Sequence, residues 1–109
     1  SLRPQMEALV HLTPHVGADG FFVFAVRPGS DPATTESRMF CPVIGVPEDP
    51  VTGSAHCCLA PFWGEKLDKT EMTGFQCSAR GGSVRVKLAG DRVILSGNAV
   101  QVFSGKLLV

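Results

Sequence analysis

Residues 48–56 (EDPVTGSAH) combine an acidic side chain, a turn and the start of a helix. Asp49 precedes Pro50, and a residue before proline is held in an extended conformation. A helix is predicted to begin at Ser54, where the N–H groups of the first turn have no partner within the helix. These donors and the positive end of the helix dipole attract anions. The stretch therefore predicts an acid/base group, Asp49, beside a site for a carboxylate or another anion.

Each residue of this candidate site also has a simpler interpretation. Asp49 could be an acid that only interacts with the helix dipole, a contribution of about 0.3–1 kcal/mol. Ser54 could contact a substrate or could be an ordinary helix N-cap. Gly53 and Ala55 would bind through backbone N–H groups, and the absence of a Cβ at Gly53 allows a ligand to approach closely. His56 is more often a core or boundary histidine, although a supporting role at the site stays open.

Two arginines are further candidates for contacting an anion. The sequence Arg80-Gly81-Gly82 could be a turn before a strand, or a place where Arg80 pairs with a carboxylate while Gly81 permits close approach. Arg38 is a weaker candidate of the same kind. Glu48 is predicted to be structural, because neighbouring side chains on an extended backbone point in opposite directions.

Neither a metal site nor a redox site is predicted. His11 and His15 have the i, i+4 spacing that suits a metal, but no third ligand accompanies them. The chain has four cysteines, Cys41, Cys57, Cys58 and Cys77. Cys57 and Cys58 are adjacent in a helical stretch, which is poor geometry for a mutual disulfide, and they are expected to be buried in the core. Reduced thiols are typical of a cytoplasmic protein.

Two helices are predicted to accompany the strands that position the candidate site. Residues 4–15 form a weak first helix. Residues 54–63 carry no charged stripe, and a helix that is apolar on all sides must be enclosed on all sides. Pro61 predicts a kink, because proline removes a helical hydrogen bond, and the helix is expected to end near Gly64 or Leu67. In so short a chain, only a curled sheet could enclose this helix.

The remaining segments predict that sheet. Residues 21–26 are uniformly apolar, which is typical of a strand buried on both faces, and the proline- and glycine-containing residues 27–35 predict a loop. Further strands are predicted at residues 37–41, 71–78, 84–88, 93–95 and 100–109. Turns at Gly90-Asp91 and Gly97-Asn98 make successive strands antiparallel. The prediction is one α+β domain, a curled, mainly antiparallel sheet or barrel wrapped around a central helix.

Composition narrows the possible functions. Ten basic and ten acidic residues are scattered singly, so nothing resembles the basic patch of a nucleic-acid-binding protein. No apolar run reaches the length of a membrane span. Only 18% of the residues are charged, which suggests that part of the surface is covered by another domain or subunit.

The sequence resembles the PhzF-like family of phenazine-biosynthesis and related isomerases at residues 38–42, 48–63 and 76–82. Members of this family have a diaminopimelate-epimerase-like fold: two similar halves, each a β-barrel around a helix, with the active site between them. Residues 1–109 resemble the C-terminal half as a single domain. The family's catalytic glutamate belongs to the other half, and no motif here matches it.

The resemblance implies a cofactor-independent isomerase that transfers a proton on a small carboxylate-bearing metabolite. Asp49 and Ser54 would be catalytic, orienting the substrate and stabilising charge. The substrate-binding groups would be Gly53, Ala55, His56, Arg80 and Gly81. The chain would need an N-terminal half-domain and would be inactive alone. The alternative is a stand-alone, non-catalytic module that binds a small anion or a protein, with a homodimer covering its apolar face.

Overall fold

The computed structural model describes residues 2–27 and 34–108. Its elements in chain order are α1 (Met6–Val16), β1 (Phe21–Val26), β2 (Thr35–Cys41), a 3-10 turn (Pro42–Ile44), β3 (Val46–Asp49), α2 (Gly53–Leu67), β4 (Glu71–Gln76), β5 (Gly82–Ala89) and β6 (Arg92–Ser96). Most of the loop predicted at residues 27–35 lies outside the described residues. Neither α1 nor α2 is long and apolar enough to cross a bilayer.

The six strands of the described residues form one curled, mixed sheet in the order β1-β2-β4-β5-β6, with β3 also pairing with β2. All pairings are antiparallel except that of β2 with β4, which is parallel. A parallel pair requires a crossover connection, and α2 lies within the segment that links these two strands. The predicted α+β fold with a mainly antiparallel sheet is confirmed.

The core lies between one face of α2 and the concave face of the sheet. The buried residues of α2 are Ala55, His56, Leu59, Ala60 and Gly64. On β4, Met72, Gly74 and Gln76 are buried at alternate positions, as expected for a strand with one face on the core. Val84 and Val86 of β5 complete the apolar cluster with Ala60 and Met72.

Two expectations about enclosure were wrong. The sheet covers only one face of α2, so Cys58 and Pro61 are exposed and the Phe62 side chain retains 42% of its accessible surface. The apolar strand β1 is not buried on both faces. Within the described part of the chain it is an edge strand that pairs with β2 alone, and Val23 and Phe24 are exposed.

The prediction of a last strand at residues 100–109 was also wrong for the described residues. Residues 97–108 follow β6 without forming a helix or strand, and Val102 retains 93% of its accessible surface. The alternation of apolar residues indicates a strand, but a strand forms only when its backbone pairs with another strand, and residues 97–108 do not pair with the free edge of β6. Within the described residues, β6 pairs with β5 only.

Gly74→Ala is expected to lower the free energy of unfolding by about 1–3 kcal/mol, the usual cost of overpacking a core. A Cβ at this position would lie 2.7 Å from Cδ2 and Nε2 of His56. Gly97→Ala is the matched control, because its nearest contact would be 3.8 Å away. Urea denaturation of both variants tests this, and equal stability of the two would contradict the described packing.

Candidate active site

The loop between β3 and α2 brings Asp49 to the beginning of the helix. The Thr52 hydroxyl donates a hydrogen bond to the Asp49 carboxylate at 2.5 Å. Thr52 is the N-cap residue and has an extended backbone, but its side chain does not cap the helix. Ser54 is the second residue of α2, so the N-cap interpretation of Ser54 was wrong. The first turn thus keeps N–H donors that the N-cap hydroxyl does not satisfy.

Gln76 fixes the shape of this loop from the core. Its side chain has no exposed surface. Its Oε1 accepts a hydrogen bond from the Thr52 N–H at 2.8 Å, and its Nε2 donates to the Asp49 carbonyl at 2.7 Å and to the Thr52 hydroxyl at 3.0 Å. Sequence analysis missed this role. The available signal was its position two residues after Gly74 on the core face of β4.

Ser78 attaches the loop to the turn that contains Arg80. The Ser78 hydroxyl donates to the Pro50 carbonyl at 2.8 Å and accepts from the Gly81 N–H at 3.0 Å. Gly81 has a φ of +70°, a conformation that side chains with a Cβ rarely adopt. The two segments that the sequence singled out are therefore joined by hydrogen bonds.

A surface groove of about 720 Å³ separates these segments from the end of β6. Three predicted site residues, Gly53, Arg80 and Gly81, line the groove, together with Ser83, Ser96 and Asn98 among others. Arg80 is exposed, and none of the described acidic residues forms an ion pair with it. The groove therefore offers a guanidinium group beside the start of α2, which suits a carboxylate.

The other predicted site residues lie around the first turn of α2. Ser54 is exposed, and Ala55 is buried, so Ala55 could reach a ligand only through its backbone. His56 is 1% exposed, and its Nδ1 lies 2.7 Å from the Thr52 carbonyl. A substrate on the surface could not contact this imidazole directly. The position fits the supporting role, since His56 holds the N-cap residue.

Arg38 and Glu48 form an ion pair on the β2–β3 side of the loop. The Arg38 Nε and Nη2 donate to the two Glu48 carboxylate oxygens at 2.7 and 2.9 Å, and Nη1 donates to the Leu2 carbonyl at 2.6 Å. The structural prediction for Glu48 fits this arrangement. Arg38 was a wrong candidate for contacting a substrate anion, because its guanidinium is paired with the Glu48 carboxylate and the Leu2 carbonyl.

The hydrogen bonds from Arg38 lower the pKa of Glu48 below its ordinary value of 4.5. A lowered folded-state pKa gives stability that is present above the unfolded-state value and is lost as pH falls through the folded-state value. The free energy of unfolding is therefore expected to decrease as pH falls below about 5, and Glu48→Gln should make this decrease smaller. Urea unfolding as a function of pH checks this, with the exposed Glu65→Gln as control. If the free energy of unfolding falls equally with decreasing pH in Glu48→Gln and in the unmodified chain, the prediction is contradicted.

The cysteines form no disulfide, and His11 and His15 lie one turn apart on α1, where His15 Nδ1 is 2.9 Å from the His11 carbonyl. All four cysteines are free; Cys41 is buried, Cys57 is half-buried and Cys58 is exposed, so the predicted burial of Cys58 was wrong. Burial, and secondarily the charge of Asp49, raises the pKa of the Cys41 thiol. Among the described residues, no three His, Cys, Asp or Glu side chains form a group that could hold a metal ion.

Known proteins similar to this chain come from bacteria and mammals. The chain is 58% identical over 73 residues to an uncharacterized isomerase of Halalkalibacterium halodurans. This aligned segment covers 67% of this chain and 28% of that protein. It is 51% identical over 84 residues to the phenazine biosynthesis-like domain-containing protein 2 of Mus musculus, covering 74% of this chain and 29% of that protein. The chain thus spans less than a third of these relatives.

Solved structures give the same family. A PhzC/PhzF-type protein from Clostridium difficile aligns with the whole chain at 35% identity and a TM-score of 0.78, with 40% of its own length covered. A PhzF-family protein from Enterococcus faecalis aligns with 87% of the chain at 37% identity and a TM-score of 0.76, with 34% of its length covered. The profile of the PhzC-PhzF family, described as phenazine biosynthesis-like protein, matches residues 1–105. The chain belongs to the PhzC-PhzF family.

Proposed function

We propose that this chain forms the carboxylate-binding half of an isomerase that moves a proton between carbons of a small metabolite. The observation that carries the proposal is the hydrogen bond from Thr52 to Asp49. It turns the N-cap hydroxyl away from the helix and leaves first-turn N–H donors beside the groove. The isomerase names of several relatives support the reaction class.

The substrate carboxylate is bound at the start of α2. The N–H groups of residues 53–55 donate to it, and the helix dipole favours its negative charge. Arg80 pairs with the same carboxylate or with a second acidic group from the groove. Gly53 and Gly81 allow the substrate to approach the backbone closely. This arrangement holds one end of the substrate in a fixed orientation.

Asp49 and Ser54 act on the reacting end. Asp49 is held in place by Thr52, so its carboxylate can orient a substrate N–H or O–H group without moving during the reaction. The exposed Ser54 hydroxyl can hydrogen-bond to the charge that develops when a C–H proton leaves. The proton returns at another carbon as the double bond shifts, so the reaction needs no oxidant or reductant.

The group that removes and returns the proton is proposed to be a glutamate outside this chain. The curated relatives described above are more than three times longer than their matched segments, which leaves room for a second half in those proteins. An active site between two halves fits a groove that lies at the surface of this chain. We expect the chain alone to bind a carboxylate but not to isomerise it.

Solvent-deuterium incorporation tests the reaction without knowledge of the product. A complete protein containing this chain is incubated in D2O with a pool of metabolites, some with and some without a carboxylate, and mass spectrometry identifies any that gain deuterium. The proposal expects enzyme-dependent gain in at least one carboxylate, and none with this chain alone. Exchange confined to metabolites without a carboxylate would contradict it.

Exposed apolar residues favour a second candidate, a stand-alone binding module that dimerises. Phe24, Phe62 and the tail residues Val100 and Phe103 are all exposed. Such a surface on an independent protein is expected to be covered by a second copy. Sedimentation of the 11.6 kDa chain discriminates the two: a stable dimer without deuterium exchange in any larger protein favours the module.

A further inference from the structure

Two buried nitrogen atoms of α2 have no hydrogen-bond partner among the described residues: His56 Nε2 and Trp63 Nε1. Their positions are seven residues apart, which places both side chains on the same face of the helix. Both residues line one small cavity between α2 and the sheet, which Thr35 and Gly74 also line. An unsatisfied buried polar group is costly, because it has lost its contact with water without gaining another partner. Two of them at one cavity call for a common explanation.

The two nitrogens have complementary hydrogen-bonding roles. The Thr52 carbonyl can only accept, so the Nδ1 of His56, 2.7 Å away, carries the proton. In the neutral imidazole, Nε2 is then an acceptor. The indole N–H of Trp63 is only a donor. Two residues that line the cavity therefore carry one unpaired acceptor and one unpaired donor.

The cavity has a volume of about 10 Å³, which is about the space that one water molecule needs. We propose that a single internal water is bound there, donating to His56 Nε2 and accepting from the Trp63 indole N–H. Two protein partners are within the usual range for a buried water. Around this water the walls are otherwise largely apolar, formed by Leu59, Ala60, Met72 and Val86.

The water joins the first turn of α2 to its middle and so helps to fix the imidazole orientation. With Nε2 occupied as an acceptor, Nδ1 keeps its proton and its bond to the Thr52 carbonyl. His56 is thus a positioning residue for the loop that holds Asp49. This hydration site follows from the core geometry alone and stands whether or not the proposed isomerase function is correct.

Nuclear magnetic resonance tests the proposal on the unmodified chain. The chain has one tryptophan, so its indole N–H signal is assigned without ambiguity. We expect a cross-peak between water and this proton with the opposite signs in NOE and ROE spectra that mark a long-lived water. We also expect the nitrogen shift of His56 Nε2 to be that of a hydrogen-bonded acceptor. Absence of the cross-peak, or a protonated Nε2 in the neutral ring, would overturn the proposal.

Three variants test whether the water–indole cross-peak and the His56 Nε2 shift come from a bound water or from another source. Thr35→Val removes a hydroxyl that could relay magnetisation from bulk water, and the cross-peak should persist; its loss would assign the signal to the hydroxyl. Trp63→Phe removes the donor and should shift the Nε2 resonance of His56. Phe62→Leu alters the neighbouring exposed aromatic residue and should leave that resonance in place. Equal Nε2 shifts in Trp63→Phe and Phe62→Leu would count against a shared water.

Discussion

Asp49→Asn is expected to reduce turnover about 10²–10³-fold in a complete protein that contains this chain, the usual loss for one preorganised polar group. The asparagine Oδ1 can still accept the hydrogen bond from the Thr52 hydroxyl, so the loop and the helix start are preserved. The substitution removes the negative charge that, in the proposed function, faces the substrate. The rate of solvent-deuterium incorporation into the substrate measures the effect, and unfolding in urea verifies that stability is unchanged within about 1 kcal/mol.

Glu48→Gln is the matched control for this experiment. It removes the carboxylate next in sequence, which is bound by Arg38 on the other side of the strand. Turnover is expected to stay within a few-fold of the unmodified protein. If Asp49→Asn turns over as fast as Glu48→Gln, Asp49 does not act on the substrate.

Gln76→Leu is expected to lower the free energy of unfolding by about 2–5 kcal/mol, because it leaves the Thr52 N–H and the Asp49 carbonyl without their partner in the core. Leucine is similar in size to glutamine and cannot form hydrogen bonds through its side chain. The decrease in the free energy of unfolding therefore reports the lost hydrogen bonds rather than a loss of packing. The same change should release the loop and weaken carboxylate binding at the helix start. Urea denaturation gives the stability, and a carboxylate titration gives the affinity.

Gln101→Leu controls for the loss of an amide at the surface. Gln101 lies in the exposed tail, so its replacement is expected to change stability by less than about 0.5 kcal/mol. Similar stabilities of the two variants would mean that the Gln76 hydrogen bonds do not hold the loop.

The start of α2 could be predicted because its signals are local. Asp49-Pro50 fixes an extended residue and Gly53-Ser54 opens an apolar segment, and the observed helix begins at Gly53, within one residue of the prediction. The strands β5 and β6 could also be predicted, because the alternation of apolar and polar residues and the turn at Gly90-Asp91 are local signals. Short-range patterns of this kind do not depend on the rest of the chain.

Features that depend on distant partners were missed. Gln76 contacts residues 24 and 27 positions earlier, and nothing in its own neighbourhood indicates which carbonyl it binds. The exposure of β1 follows from its place at an edge of the sheet, and the tail is exposed because residues 97–108 form no strand. Apolar content predicts that a strand is buried, but sheet order decides how much of it the described chain covers.

The most direct test of the carboxylate site is an amide-shift titration of this chain with benzoate, with uncharged benzamide as the control. Our account predicts that benzoate shifts the amide signals of Gly53, Ser54 and Ala55, and that Arg80→Gln weakens this response while benzamide leaves these signals in place. Benzoate-dependent shifts elsewhere, with the signals of residues 53–55 unchanged, would show that the helix start is not an anion site and would contradict the proposed function.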